Sequence, residues 1–316
     1  MNKKKVLITG GAGFIGSHLC RRLLLANIEV LVLDNLSVGK KENLPKGCQF
    51  VEGDTRDFSL VKKMTPKVDA IYHLAANVTI RGSIDKFYED ADNNIMGTLN
   101  LLRACKSPKK VKKFIFSSSM AVYADSPKAV SIKENYEIKP ISPYGIAKLA
   151  SERYIFLACK QMEIESTVLR FFNTYGPGQT YTPYVGVITI FINQLLEGKK
   201  LLIFGDGKQK RDFVYVKDIA EACYRVLKVK TDEEVFNVGT EIPTSVNQIA
   251  ALLIRRINSS IKVEHMEAHP GELRNSIADV SKLKRFTGFK PSVELKERVD
   301  EVIDFIKKNK SGTTGE

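Results

Sequence analysis

Apolar residues along this chain fall into short unbroken runs separated by stretches with apolar positions at helical spacing. Runs at Val6–Thr9, Glu29–Leu33, Gln49–Glu52, Ala70–Leu74, Lys113–Ser117 and Ser166–Phe171 read as buried strands. The alternation predicts an α/β fold: a doubly wound parallel sheet covered on both faces. After Asn173 the rhythm changes. Thr174-Tyr175-Gly176-Pro177-Gly178-Gln179 is turn-rich, and short strands then mix with helical patterns near 186–197, 217–228, 245–257 and 294–308. We therefore expect a first domain over 1–173 and a smaller, mixed α/β substrate domain over 174–316. Phe213–Val216 and Val235–Val238 are expected to return to the first sheet, so that the first domain also receives 213–240.

The first run enters Gly10-Gly11-Ala12-Gly13-Phe14-Ile15-Gly16, and a helical pattern follows from Ser17 to Ala26. Such a turn lets backbone approach a pyrophosphate closely, while the helix N-terminus offers free N–H groups and partial positive charge. The second run ends in Asp34, about twenty residues on, where an acid takes the adenosine ribose hydroxyls. A carboxylate there repels a 2′-phosphate, so the cofactor expected is NAD and not NADP.

Ser142-Pro143-Tyr144-Gly145-Ile146-Ala147-Lys148 places a tyrosine and a lysine one turn apart at a helix start. Ser142 suits the N-cap and Pro143 the first helical position, so Tyr144 and Lys148 share a face. A phenol with a reference pKa of about 10 needs a cation nearby to act as a base at neutral pH. By itself this spacing also fits an ordinary amphipathic helix. Beside a dinucleotide turn it points to proton transfer coupled to hydride transfer.

The chain has 316 residues, 43% of them hydrophobic, enough for two modest domains with proper cores. The net charge of +13 is spread over short lysine runs at 3–5, 40–41, 109–113 and 307–310, none interleaved with aromatics as a nucleic-acid stacking surface is. We read a solvated basic surface, with Lys109–Lys113 in a loop, and expect no nucleic acid and no membrane partner. The N-terminus leads straight into a strand, so no signal peptide is expected. Cys20, Cys48, Cys105, Cys159 and Cys223 have no CxxC spacing, which suits reduced thiols and a cytoplasmic location. His265 and His269 are four apart, but Pro270-Gly271 breaks any helix there, and no metal is expected.

With these residues assembled, the chain resembles the extended short-chain dehydrogenase/reductase family, and within it the UDP-glucose 4-epimerases. The likeness spans nearly the whole chain. It rests on Thr9 to Gly16, Asp34-Asn35, Gly53-Asp54, His73-Leu74-Ala75-Ala76, Asn93-Asn94-x-x-Gly97-Thr98, Ser117-Ser118-Ser119, Tyr144 with Lys148, Arg170-Phe171-Phe172-Asn173 and Arg211-Asp212-Phe213. The resemblance implies a Rossmann domain with tightly held NAD, a UDP-sugar substrate, and a homodimer formed through a helix pair. It implies Ser119, Tyr144 and Lys148 as catalytic residues. For the cofactor it implies Gly10, Gly13, Phe14, Ile15, Gly16, Asp34, Asn35, Asp54, Thr55, Leu74, Ala75, Ala76, Asn93, Ser117 and Phe171, together with Tyr144 and Lys148. On the substrate side it implies Ser119, Asn173, Val187, Leu202, Phe204, Arg211, Glu272 and Ser276. Arg211 is expected on the diphosphate, its alternative being a surface ion pair with Asp212. The implied reaction oxidises the hexose at C4 and returns the hydride to its other face, with Lys148 lowering the pKa of Tyr144.

Three departures stand out. His269 occupies a position usually held by arginine, which weakens a second phosphate contact or moves it to Arg274. Val78 stands where some epimerases have lysine, and Ser276 is small where some members carry tyrosine, which suits N-acetylated sugars. Met120 and Ala121 follow Ser119, where dehydratases and decarboxylases need acids. UDP-glucuronate 4-epimerase, a keto-sugar reductase, and a noncatalytic NAD- or RNA-binding relative are the competing readings.

Overall fold

The computed structural model describes residues 3–78, 82–107, 110–126, 128–181, 186–231, 233–268, 274–292 and 294–311. In chain order the strands are β1 (Lys5–Thr9), β2 (Glu29–Asp34), β3 (Gln49–Glu52), β4 (Ala70–His73), β5 (Lys113–Ser119), β6 (Ser131–Ile132), β7 (Glu165–Phe171), β8 (Asn173–Tyr175), β9 (Leu201–Phe204), β10 (Lys210–Tyr215), β11 (Glu234–Val238), β12 (Pro243–Ser245), β13 (Val263–Met266) and β14 (Asn275–Ala278). One parallel sheet runs β11-β7-β5-β4-β1-β2-β3. Strands apolar at consecutive positions, such as Val6-Leu7-Ile8, need cover on both faces. Helices Phe14–Leu25 and Val216–Lys228 supply one cover around Val6, Ile8, Leu19 and Ile219. Helices Phe58–Met64, Gly97–Cys105 and Pro143–Met162 supply the other around Leu7, Val61, Leu101 and Ile155. Strand order reverses between β1 and β4, and the crevice beyond their carboxyl ends is where such sheets bind ligands.

The second sheet runs β12-β10-β14-β6, with β8 also paired to β10, and β9 pairs with β13. Phe213–Val216 departs from expectation. Phe213, Val214 and Tyr215 lie in β10 and pair with Asn173, Thr174 and Tyr175 of β8, not with the main sheet. The cause is that β8 leaves the main sheet one residue after β7, and its partner strand leaves with it. The chain returns from Val216, first as a helix packed on Phe14–Leu25 and then as β11 beside β7.

Lys113 also departs from the solvated loop expected of it. It opens β5 and is buried, its Nζ donating to Val229 O at 2.6 Å and to Glu165 Oε2 at 3.2 Å. A further feature is absent from the sequence reading: Phe87–Ala91, Asp92–Met96 and Gly97–Cys105 follow without a break, and the middle segment is a turn of π-helix. Such turns recur at functional sites. No helix among the described residues is long and apolar enough to cross a membrane.

Candidate active site

The glycine turn is built by close approach. Gly10 has φ +72°, and a Cβ there would lie 2.7 Å from Ala75 N, so the segment after β4 is pressed onto the turn. A Cβ on Gly16 would lie 2.1 Å from Gly10 O. Gly13 caps helix Phe14–Leu25 without a side-chain acceptor, and Ser17 N is the first amide to bond back to Gly13 O. The amides of Phe14, Ile15 and Gly16 are thus the donors at the positive end of this helix. Asp34, buried at the end of β2, accepts from Ala12 N at 2.9 Å and from Leu36 N at 2.9 Å. Leu36 is held at φ +57°, a conformation that costs a non-glycine residue energy and is fixed here by that Asp34 bond. The free amides beside a buried acid fit a dinucleotide's pyrophosphate and ribose.

The adenine side is wired by side chains. Asn35 Nδ2 donates to Asp54 Oδ2 at 2.8 Å, and Arg56 grips Asp54 while reaching Asp92 at 2.7 Å. The Arg56 guanidinium holds the Asp54 carboxyl at about 2. Thr55 is buried beneath, its Oγ1 against Gly97.

Beyond β4, Leu74 N donates to Thr9 O and Ala75 N to Thr9 Oγ1, so Leu74, Ala75 and Ala76 line the mouth of the crevice half-buried. His73 is fully buried between Thr9 Oγ1 at 2.8 Å and Thr98 Oγ1 at 2.9 Å, and burial holds its imidazole neutral, down to about 3. Asn93 donates to Glu89 O and lies half-buried on its own helix. Its neighbour Asn94 accepts from Asn77 N at 2.9 Å and donates to Asn77 O at 3.1 Å, tying the π turn to the crevice loop.

Ser142 caps helix Pro143–Met162 as expected, accepting from Gly145 N at 3.1 Å, a bond worth about 1 kcal/mol. The helix sets Tyr144 and Lys148 on one buried face, against the carboxyl end of β5. Lys148 Nζ donates to Ser117 O at 2.8 Å and stands 5.7 Å from the Tyr144 ring centre. Ser119 faces the phenol, accepts from Ala121 N at 3.2 Å, and lies in register with Phe171. Ser117 Oγ donates to His73 O at 3.1 Å, a structural contact. The titration of the pair differs from expectation. Burial pushes Tyr144 up to about 12, opposed first by the Ser119 hydrogen bond, and burial brings Lys148 down to about 7. With the ammonium turned toward Ser117 O, desolvation outweighs the lysine's attraction for a phenolate.

Three residues outside the expected list hold this arrangement. Glu152, one turn beyond Lys148, takes Arg170 Nε at 3.0 Å and Nη2 at 2.7 Å, and accepts from Ser118 Oγ at 2.5 Å. Asp90, discussed below, is the third. Because Glu152 and Arg170 are far apart in sequence, only their burial in the fold reveals the pairing.

On the substrate side, Arg211 and Ser276 are register partners on β10 and β14 and so share a face. Arg211 is nearly buried and Nη1 donates to Lys210 O at 3.0 Å. Asp212, its alternative partner, accepts from Thr240 N and Oγ1, Glu241 N and Ala278 N. Ser276 Oγ and Asn173 Oδ1 are buried with no hydrogen-bond partner among the described residues. Val187 opens helix Val187–Leu196 behind Gly186, again without a side-chain cap. Leu202 and Phe204 stand on the outward face of β9, while Leu201 and Ile203 enter the core. Arg274, expected as a second phosphate contact, is held by Asp206 at 2.8 and 2.9 Å, since the exposed Asp206 carboxylate meets both guanidinium nitrogens. Glu272 and His269 lie outside the described residues, and Val78 is exposed.

The family described as NAD dependent epimerase/dehydratase matches residues 6–239. The structure of UDP-glucose 4-epimerase from Thermotoga maritima with UDP-glucose is 37% identical with a TM-score of 0.92, covering 96% of this chain and 99% of that one. UDP-N-acetylglucosamine 4-epimerase from Methanobrevibacter ruminantium, in complex with UDP-N-acetylmuramic acid, is 35% identical with a TM-score of 0.91, covering 98% and 100%. UDP-glucuronic acid 4-epimerase from Bacillus cereus, in complex with UDP-glucuronic acid and NAD, is 35% identical with a TM-score of 0.89, covering 96% and 99%.

Proposed function

The chain belongs to the NAD-dependent epimerase/dehydratase family and is an NAD-dependent nucleotide-sugar epimerase, and from that premise we propose that it inverts C4 of a UDP-hexose, UDP-glucose or its N-acetylated counterpart. The observation that carries the proposal is the meeting of Ser119, Tyr144 and Lys148 at the end of β5, beside the glycine turn, with Met120 and Ala121 in the positions where eliminating enzymes need acids.

NAD, when bound, supplies the acceptor that takes the C4 hydride and returns it. The amides of Phe14, Ile15 and Gly16 hold its pyrophosphate, and Asp34 its adenosine ribose. Tyr144 removes the proton from the sugar 4-hydroxyl and later gives it back. Ser119 hydrogen-bonds the same oxygen. Lys148 would hold the nicotinamide ribose, and its positive charge would favour the phenolate against the burial that opposes it. Arg211 takes the diphosphate with a guanidinium fork, helped by Asn173 and the amide of Val187. Leu202 and Phe204 flank the uracil. The small Ser276 leaves room beside Arg211 for the hexose to turn and for an N-acetyl group.

A homodimer fits this reading. Phe87, Tyr88 and Met96 on the 82–105 helices, and Ile146, Tyr154 and Leu157 on helix Pro143–Met162, are apolar and exposed. The five cysteines are free thiols, in keeping with a cytoplasmic enzyme. A second reading, UDP-glucuronate 4-epimerase, is supported by the comparable likeness to the Bacillus cereus enzyme.

The test is incubation of the purified protein, without added cofactor, with UDP-glucose, UDP-N-acetylglucosamine and UDP-glucuronate separately, the products resolved by NMR. Formation of a galacto-sugar from either of the first two supports the proposal. Conversion of UDP-glucuronate alone supports the second reading, and conversion of none, after NAD is added, defeats both.

A further inference from the structure

Asp90 takes no part in the chemistry described so far. Its side chain is sealed from water on helix Phe87–Ala91. Oδ1 accepts from Asn94 Nδ2 at 3.0 Å, and Oδ2 is buried with no hydrogen-bond partner among the described residues. A carboxylate oxygen left bare inside a protein is costly, so its position calls for a physical reason.

Two contacts show what its segment packs against. Tyr144 N donates to Ser83 Oγ at 3.2 Å, and Ser151 Oγ donates to Asn94 O at 3.2 Å. The 82–105 segment and helix Pro143–Met162 therefore run side by side. Asp90 lies between these contacts on one, and Lys148 between them on the other. Lys148 donates its hydrogen bond to Ser117 O, so the carboxylate acts on it through space.

We propose that Asp90 is a positioning residue of this site, its buried negative charge setting how tightly both Tyr144 and Lys148 hold their protons. The role in turnover rests on the epimerase reading, in which these two groups flank the sugar C4 oxygen. A neighbouring anion favours the protonated form of phenol and amine alike. The directions agree, since Asp90 raises both groups. Two other titratable groups stand near Lys148. Glu152 on the same helix also favours the protonated Lys148, less than Asp90 does, while paired at two points with Arg170 of β7, and His73 of β4 is held neutral. Burial raises Asp90 itself, against the Asn94 bond and the Lys148 charge.

Replacing the charge without the shape tests this. In Asp90→Asn holoenzyme, both limbs of the pH–turnover profile, measured with whichever UDP-sugar the wild type converts, move to lower pH by about half a unit or more. A lower plateau with both limbs unmoved would falsify the proposal and leave Asp90 a packing residue. If Asp90→Asn does not fold, Asp90→Ser, which leaves room for water, carries the same expectation. A second readout needs no substrate: the absorbance titration of the Tyr144 phenol in the NAD-loaded protein, with Tyr144→Phe subtracted. A shift to lower pH in Asp90→Asn supports the inference even if no UDP-sugar is converted. An unmoved phenol overturns it even if epimerisation is confirmed.

Discussion

Arg170 grips Glu152 at two points, Nε to Oε1 at 3.0 Å and Nη2 to Oε2 at 2.7 Å, with both side chains almost sealed from water. The pair ties β7 to the helix that carries Tyr144 and Lys148. Truncating Glu152→Ala strands a buried guanidinium, which costs about 3–5 kcal/mol. Urea unfolding measures it, and a loss under about 1 kcal/mol means the pair does not clamp the helix.

Tyr144→Phe removes the proton acceptor and keeps the ring. Turnover on the true substrate is expected to fall by about 10²–10⁴-fold, with bound NAD per subunit unchanged. Wild-type rates in this variant exclude Tyr144 as the acid/base group.

Lys148 carries a stability cost whose pH dependence has a definite sign. Its folded pKa of about 7 lies below the ordinary 10.5, so between those values the unfolded chain holds a proton that the folded one has released. Stability on this group therefore rises with pH across that window. Lys148→Met is expected to be inactive yet more stable at neutral pH, its advantage shrinking as pH climbs. Denaturant midpoints near both ends of the window read the gap; a constant gap rules the assignment out.

His73 works at the acid end. It is neutral in the fold, at about 3, while the unfolded chain takes up its proton below 6.5. Stability is lost as pH falls through that interval, at up to about 1.4 kcal/mol per unit from this group. His73→Gln should show a flatter acid limb in unfolding experiments, and identical limbs would mean His73 contributes nothing to it.

Ser276→Tyr fills the space beside Arg211. Conversion of UDP-N-acetylglucosamine should drop at least about tenfold relative to UDP-glucose, the scale of discrimination that pocket volume gives. Equal losses on both sugars place the N-acetyl group elsewhere.

What could be read in the sequence was local. A strand, a glycine turn, a helix and an acid are consecutive signals, and Tyr144 and Lys148 share a helix turn, so their placement needed no tertiary knowledge. What escaped depends on distant partners. Neither Glu152 nor Arg170 reveals the other, and Phe213 followed β8 rather than the main sheet. The turn of π-helix at Asp92–Met96, which Asn94 ties to the crevice loop through Asn77, left no signal in the spacing of the residues around it.

The place of β11 bears on how the protein is made. β7 has β5 on one side and β11 on the other, yet β8, β9, β10 and the helices Val187–Leu196 and Val216–Lys228 are synthesised between β7 and β11. A ribosome therefore releases the dinucleotide-binding half with its last strand missing and the edge of β7 unpaired. Vectorial folding has to wait there, and a nascent chain stalled before Glu234 presents an open edge to chaperones or to its neighbours on the polysome.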